Sequence, residues 1–250
     1  MLVNIDCTDQ YRTNPPSPHQ KISSMFSIND LNQKWQQYWA DRSLQAKIDI
    51  LFQLLVNAYT KPDRHYHNLN HIHHVLITIE QFNLELQNPV AVKLAVWFHD
   101  FVYDPQASDN EFQSAELARE LLTEINVSTE IIDRVQQLIL ATKGHQVDPN
   151  DADRSIFLDA DLAILGTDPA QYQDYARSIR QEYSWVSDAA YQVGRTKVLQ
   201  SFLERDRLYC TDLLFDELEL IARINMQQEI ANLMSVRAVA LGTKIAGERN

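Results

Sequence analysis

The sequence predicts an all-α protein. Three observations carry that expectation. Only five glycines and eight prolines occur in 250 residues, and Leu, Ala, Gln and Glu, which favour helix, are abundant. Apolar residues recur at spacings of three and four along most of the chain, which places them on one face of a helix. No stretch alternates apolar and polar residues as a strand would, and neither an internal repeat nor a glycine-rich phosphate loop is present.

Taken in order, residues 1–25 hold Pro15, Pro16 and Pro18 among polar residues and read as a disordered leader. Residues 26–250 read as a single helical domain. Ser27 can cap a helix carrying Leu31, Trp35 and Trp39. A second helix follows with Ile48, Leu51, Leu54, Leu55 and Ala58 on one face, and Lys61-Pro62-Asp63 breaks it. A third runs from about Leu69 to Phe82. Asn88-Pro89 opens the fourth, with proline suited to the first turn. That helix, Val90 to Phe98, is apolar on nearly every side, as expected of a buried one. Ser108-Asp109-Asn110-Glu111 has the form of a capping box for the fifth. A sixth spans about Thr129 to Ala141. A polar loop, Lys143 to Asp153, precedes Ile156-Phe157-Leu158 and Asp159-Ala160-Asp161-Leu162. Three more helical stretches lie near 168–182, 187–204 and 213–240.

Composition narrows the function. A net charge of -12 argues against nucleic acid or an anionic membrane as partner. A small anionic substrate stays open, because a bound dication can reverse the field within one cleft. The two cysteines, Cys7 and Cys210, do not make a disulfide framework and fit a reducing, cytoplasmic setting. No segment approaches the roughly 20 apolar residues of a membrane span. The N-terminal residues lack the basic and apolar regions of a secretory signal.

The histidines carry the chemistry. Six of the eight fall between His65 and His99. Imidazole and carboxylate are the usual ligands of divalent transition metals. His99 and Asp100 emerge together at the end of the buried fourth helix. His71 and Asp161, on other elements, can close a site of two imidazoles and two carboxylates. Such a set leaves positions open for water and substrate and suits Mn, Fe, Co, Ni, Zn or Mg in a hydrolytic role. A closed structural zinc site would normally use cysteine.

The order His71, His99-Asp100, Asp161 resembles the signature of the HD domain superfamily. More narrowly, the chain resembles its predicted metal-dependent phosphohydrolases. The matching strings are Tyr66-His67-Asn68 with His71; Phe98-His99-Asp100 with Tyr103-Asp104; Asn110-Glu111 with Ser114-Ala115; Ala141-Thr142-Lys143 with His145; and Leu158 to Leu162. Arg180, Glu182-Tyr183 and Gly194-Arg195 also match. The resemblance implies an HD-type helical bundle with extra C-terminal helices. It makes His71, His99, Asp100 and Asp161 the metal ligands, with Asp159 the competitor for the last place.

Neighbouring groups then take candidate roles. His67, one turn before His71, can bind substrate, or a second metal together with His145. His145 can instead bind phosphate, protonate a leaving group or face solvent. Asp104 is either a proton-transfer carboxylate or a turn-forming Asp before Pro105. Glu111 and Glu116 can hold ligand histidines by hydrogen bonds. Lys143, Arg180 and Arg195 are candidates for a phosphate clamp, or else halves of ion pairs. His73 and His74 read as surface or supporting groups. The expected function is metal-dependent hydrolysis of a small phosphorylated metabolite, nucleotides included. A di-iron oxygenase and a nucleotide-binding regulator without turnover are the alternatives.

Overall fold

A computed structural model describes residues 27–39, 43–82, 84–145, 148 and 150–247, with the side chains of the last helix described to Ser235. The expected leader, 1–25, lies outside these residues. The described residues form ten α-helices and a short 3-10 turn, with no strand among them. The helices are α1 (Ile28–Gln36), α2 (Gln45–Tyr59), α3 (Leu69–Gln81), α4 (Pro89–Phe98), α5 (Asn110–Glu124), α6 (Thr129–Thr142) and α7 (Ala152–Leu162). The 3-10 turn, Ala163–Gly166, leads to α8 (Pro169–Glu182), α9 (Asp188–Leu203) and α10 (Asp212–Gly247).

Local chemistry explains the starts. Ser27 Oγ accepts from the Asp30 amide at 3.2 Å while Asp30 accepts from the Ser27 amide at 2.8 Å, which satisfies two otherwise orphaned donors. Asn88 caps α4 by accepting from the Ala91 amide at 3.1 Å, and Pro89 follows in the first turn. Ala91, Val92, Leu94, Ala95, Val96, Trp97 and Phe98 are all buried. Each larger aliphatic or Phe side chain among them contributes about 1.5–3 kcal/mol, so α4 is the axis around which its neighbours pack.

Two starts differ from expectation. The capping box at Ser108 does not form: Asp109 is the cap residue of α5 and its side chain makes no capping hydrogen bond. Further on, α7 begins at Ala152, inside the stretch expected to be loop. Asp151 caps it by accepting from the Arg154 amide at 3.0 Å, and is itself held by Arg134 of α6.

The buried apolar residues form two clusters. One joins α1 to α7, with Trp35, Phe52 and Trp97 in edge-on contact at its centre. The other joins the 3-10 turn, α8, α9 and α10. α7 passes from the first, at Ala160, into the second, at Leu162. Buried Asp153 of α7 accepts from the Gln87 and Asn88 amides at 2.6 and 2.8 Å, tying α7 to the start of α4.

The second cluster depends on a close approach at Gly166. A Cβ there would fall 2.6 Å from Leu218 Cβ and 3.1 Å from the Tyr209 hydroxyl. Glycine is the residue that lets this turn touch α10. Gly166→Ala should therefore destabilise by about 1–3 kcal/mol, read as a lower urea midpoint with helical content retained. An unchanged midpoint would mean that the turn and α10 separate without cost.

Candidate metal centre

The ends of three helices converge. His71 lies in the first turn of α3, behind the cap Asn68, whose side chain accepts from the Asn70 amide at 2.8 Å. His99 closes α4, with Asp100 next to it, and Asp161 is in the last turn of α7. His71 Nε2 is 3.0 Å from His99 Nε2 and 3.1 Å from Asp161 Oδ1. Asp100 Oδ2 lies 3.0 Å from His99 Nε2 and 3.5 Å from His71 Nε2. Among the described residues, His71, His99 and Asp161 are the one group of three or more such ligands whose donor atoms all lie within 4.8 Å of one another. Asp100 borders that group on its more exposed side.

Hydrogen bonds behind the rings fix what the rings present. His99 Nδ1 is 2.9 Å from the Val96 carbonyl. A carbonyl only accepts, so Nδ1 carries the proton and the neutral ring offers a bare lone pair at Nε2. His71 Nδ1 is 3.1 Å from the Tyr66 hydroxyl. With that hydroxyl accepting, His71 also presents a bare Nε2. In that tautomer two lone pairs at 3.0 Å, with two carboxylates around them, need a cation between them; in the other, His71 Nε2–H donates to His99 Nε2. The donor set therefore fits a divalent metal.

The electrostatics agree with so dense a cluster. Burial works to raise the Asp161 carboxyl, but the closely placed His99, His145 and His71 rings hold it well below the usual carboxylate range. Asp100 is lowered against its own burial by His99, His67 and His71. His99 is raised, against burial, by Asp100 and Asp161.

The last residue of α8 supports the site from the second cluster. The Glu182 carboxylate is buried and accepts four hydrogen bonds. They come from the Tyr66 and His67 amides at 2.7 and 2.9 Å, from His67 Nδ1 at 2.7 Å, and from the Tyr103 hydroxyl at 2.8 Å. His67 precedes the cap of α3 rather than belonging to the helix, yet its ring centre is 5.8 Å from that of His71. With Nδ1 donating to Glu182, Nε2 is left to act. Burial disfavours a charged His67 ring, but Asp100 and Glu182 together raise its pKa.

Arg64 is the second support. Its guanidinium donates to the carbonyls of His67 and Asp100 at 3.0 and 2.7 Å and of Phe101 at 2.8 Å. It lies over the Tyr59 and Tyr103 rings. One buried cation thus joins the segment before α3 to the segment after α4. Sequence reasoning assigned no role to Arg64, Tyr66, Tyr103 or Glu182. The last three stand in the strings quoted for the family resemblance, which was the available signal.

His145 reaches the cluster through an unusual backbone. Gly144 and His145 both have positive φ, at 73° and 49°, which turns the chain sharply after α6. His145 Nε2 then lies 3.1 Å from Asp161 Oδ2. Arg205, also unassigned from sequence, donates to the Gly144 carbonyl at 3.1 Å and lies over Phe202, the ring that His145 also contacts.

Other expected residues lie elsewhere. Asp104 is exposed, and its Oδ1 accepts from the Gln106 amide at 2.8 Å, so it forms the turn rather than joining the cluster. Asp159 is two residues from Asp161 on the same helix, which puts the side chains about 200° apart. It turns away and accepts from the Cys210 and Thr211 amides and the Thr211 hydroxyl at 2.7–2.8 Å. Lys143 donates to the Ser108 carbonyl. Arg180 pairs with Asp188 at 2.5 Å and Arg195 with Glu229 at 2.8 Å. The ion-pair reading therefore fits these two arginines and the phosphate clamp does not. Glu116 pairs with Arg119. His71 and His99 rest on Tyr66 and Val96, so neither Glu116 nor Glu111 is the support expected of it. His74 is buried, not on the surface; burial first, then His71, lowers its pKa to about 4. His73 is half-buried near Asp30, Lys34 and Glu80. His67 and His145 do not form a second three-ligand group among the described residues.

Comparisons with family models, characterised proteins and solved structures find no match to this chain.

Two expected outcomes follow from the geometry. Asp161→Asn should abolish stoichiometric Mn or Zn binding in calorimetry with the circular dichroism unchanged. Asp159→Asn should keep the metal affinity and lose about 1–3 kcal/mol of stability. The reverse pattern would exchange the two assignments. Glu182→Ala should cost about 3 kcal/mol near neutral pH, because its donors lose a buried anion. The folded Glu182 carboxyl is lowered from 4.5 to about 2: burial opposes ionisation, but His67 and two amides outweigh it. Its contribution is therefore whole above about 4.5 and is lost as pH falls through about 2. The gap between wild type and variant in urea titrations should close over that window. A constant gap would show that the charge of Glu182 contributes nothing.

Proposed function

We propose that this protein is a metal-dependent phosphohydrolase acting on a small phosphorylated metabolite, nucleotides included. One observation carries the proposal: two buried imidazoles with their Nδ1 atoms engaged elsewhere bring Nε2 to within 3.0 Å of each other, flanked by two carboxylates. His71, His99, Asp100 and Asp161 would hold the ion. These are the four residues that the resemblance to HD-type phosphohydrolases assigns as ligands, which supports the reading. A bound divalent ion of the Mn, Co, Ni, Mg, Zn or Fe class supplies Lewis acidity, lowering the pKa of water to about 7 and polarising a phosphoryl oxygen.

The protein's own groups divide the remaining work. The Asp100 side chain is 20% exposed, against 2% for each histidine and 11% for Asp161. As the most exposed of the four it would be the ligand nearest solvent, and from there it would orient an attacking water. His67, held through Nδ1 by Glu182, can donate from Nε2 to a phosphate or leaving-group oxygen. His145 buttresses Asp161, and Arg205 beside it offers a guanidinium with no carboxylate partner among the described residues. Arg205 replaces Lys143, Arg180 and Arg195 as the candidate phosphate-binding cation.

A phosphatase screen across a metabolite panel, with Mn, Co, Ni and Mg supplied in turn, tests the proposal. Asp100→Ala should lower kcat by about 100-fold or more with the fold intact. Excess metal should restore binding more readily than rate. His73→Ala, whose ring faces the α1 side rather than the cluster, is the control and should change little. No turnover of any phosphorylated substrate by verified metal-loaded protein would overturn the proposal, as would wild-type turnover by Asp100→Ala.

A further inference from the structure

A cavity of about 460 Å³ lies between α8, α9 and α10, within the range of small-molecule sites. None of the proposed metal ligands lines it. Tyr172, Ala176, Tyr191 and Leu233 give its wall an aromatic and apolar character. Five carboxamides share that wall: Gln173, Gln192, Asn225, Gln228 and Asn232.

The charged groups of the wall are already neutralised. Arg180 pairs with Asp188, Arg177 with Asp174, and Glu229 accepts from Nε and Nη2 of Arg195 at 2.8 and 3.1 Å. With each cation of the wall already beside a carboxylate, an anionic ligand gains less attraction here than at an unpaired guanidinium. The neutral polar groups differ. Asn225 is buried and uses its Nδ2 on the Leu165 and Thr167 carbonyls at 3.0 and 2.9 Å. Its amide is therefore fixed in orientation, with Oδ1 left as an acceptor. Tyr191 is 8% exposed, and its hydroxyl is buried without a hydrogen-bond partner. Tyrosine rings complement a flat ring, and carboxamides read paired donors and acceptors along its edge. Uncharged heterocycles with such edges are the matching class.

We infer that this cavity is a second binding site, separate from the metal cluster, for an uncharged nucleobase or nucleoside. Occupancy does not depend on the hydrolytic reading, because no metal ligand contributes to the wall.

Calorimetric titration of the full chain with adenine, adenosine, guanosine, cytidine and uridine, and with AMP for comparison, tests this. At least one neutral ligand should saturate a single site, with AMP at least tenfold weaker. Ala176→Trp fills the space from a partly exposed position and should abolish binding. Gln192→Ala removes an edge contact without touching a buried group and should weaken binding about tenfold; it decides the matter if the tryptophan variant fails to fold. Asp161→Asn should bind as the wild type does. No saturable binding by any neutral ligand would overturn the inference. So would binding that both cavity variants leave unchanged, or binding that Asp161→Asn abolishes, which would place the ligand at the metal cluster instead.

Discussion

Two imidazole nitrogens 3.0 Å apart, each on a ring whose other nitrogen is already hydrogen-bonded, impose the condition that the rest of the fold serves. With both Nε2 atoms unprotonated, neutral rings in that arrangement repel, and the two nearby carboxylates find no donor on them. The fold must hold the arrangement rigidly or the side chains would rotate apart. Rigidity comes from α4, whose buried residues fix the position of its C-terminus, and from Arg64, whose bonds to three carbonyls bind that terminus to the approach of α3. Asp153 does the same for α7 at the opposite end of α4.

The helices after the 3-10 turn do more than enlarge the protein. Glu182 of α8 is a buried anion whose partners all belong to the segments around α3 and α4. A buried carboxylate with four donors is strongly held, and removing it would leave those donors facing an apolar interior. The second apolar cluster thereby orients His67 without supplying any of the proposed ligands. Tyr175 of α8, edge-on to Tyr66 at 4.7 Å and hydrogen-bonded by Arg195, backs the ring that holds His71. The four proposed ligands thus lie at the ends of α3, α4 and α7, and much of their support comes from the second cluster.

The parts of this arrangement that were readable in the sequence are those decided locally. An apolar run bounded by Asn-Pro and His-Asp announces α4, and Ser27 with Asp30 announces α1. His71, His99, Asp100 and Asp161 were singled out together because their order resembles the HD signature, and they do lie together in the fold. What was unreadable depends on distant partners. Glu182 lies 115 positions from His67, and nothing near it distinguishes a buried anion from a surface one. Arg180 and Arg195 looked like phosphate ligands because a cation in sequence does not show which carboxylate it will meet. The start of α7 was hidden because Asp151 and Asp153 read as loop residues. One is paired with Arg134 and the other with two backbone amides across the interior. Asp159 and Asp161 could be ranked but not separated until the helix containing both was in place.

That last pair has a mechanical consequence. Asp161 engages the histidines on one side of α7, while Asp159 grips the amides before α10 on the nearly opposite side. Turning α7 about its own axis loosens both attachments together, so no small rotation is free. The helix is phase-locked, and sliding along its length is opposed as well, because Asp153 holds the Gln87 and Asn88 amides. One rigid helix thus joins the segment before α10 to the histidine and carboxylate cluster, so that neither can be repositioned without the other.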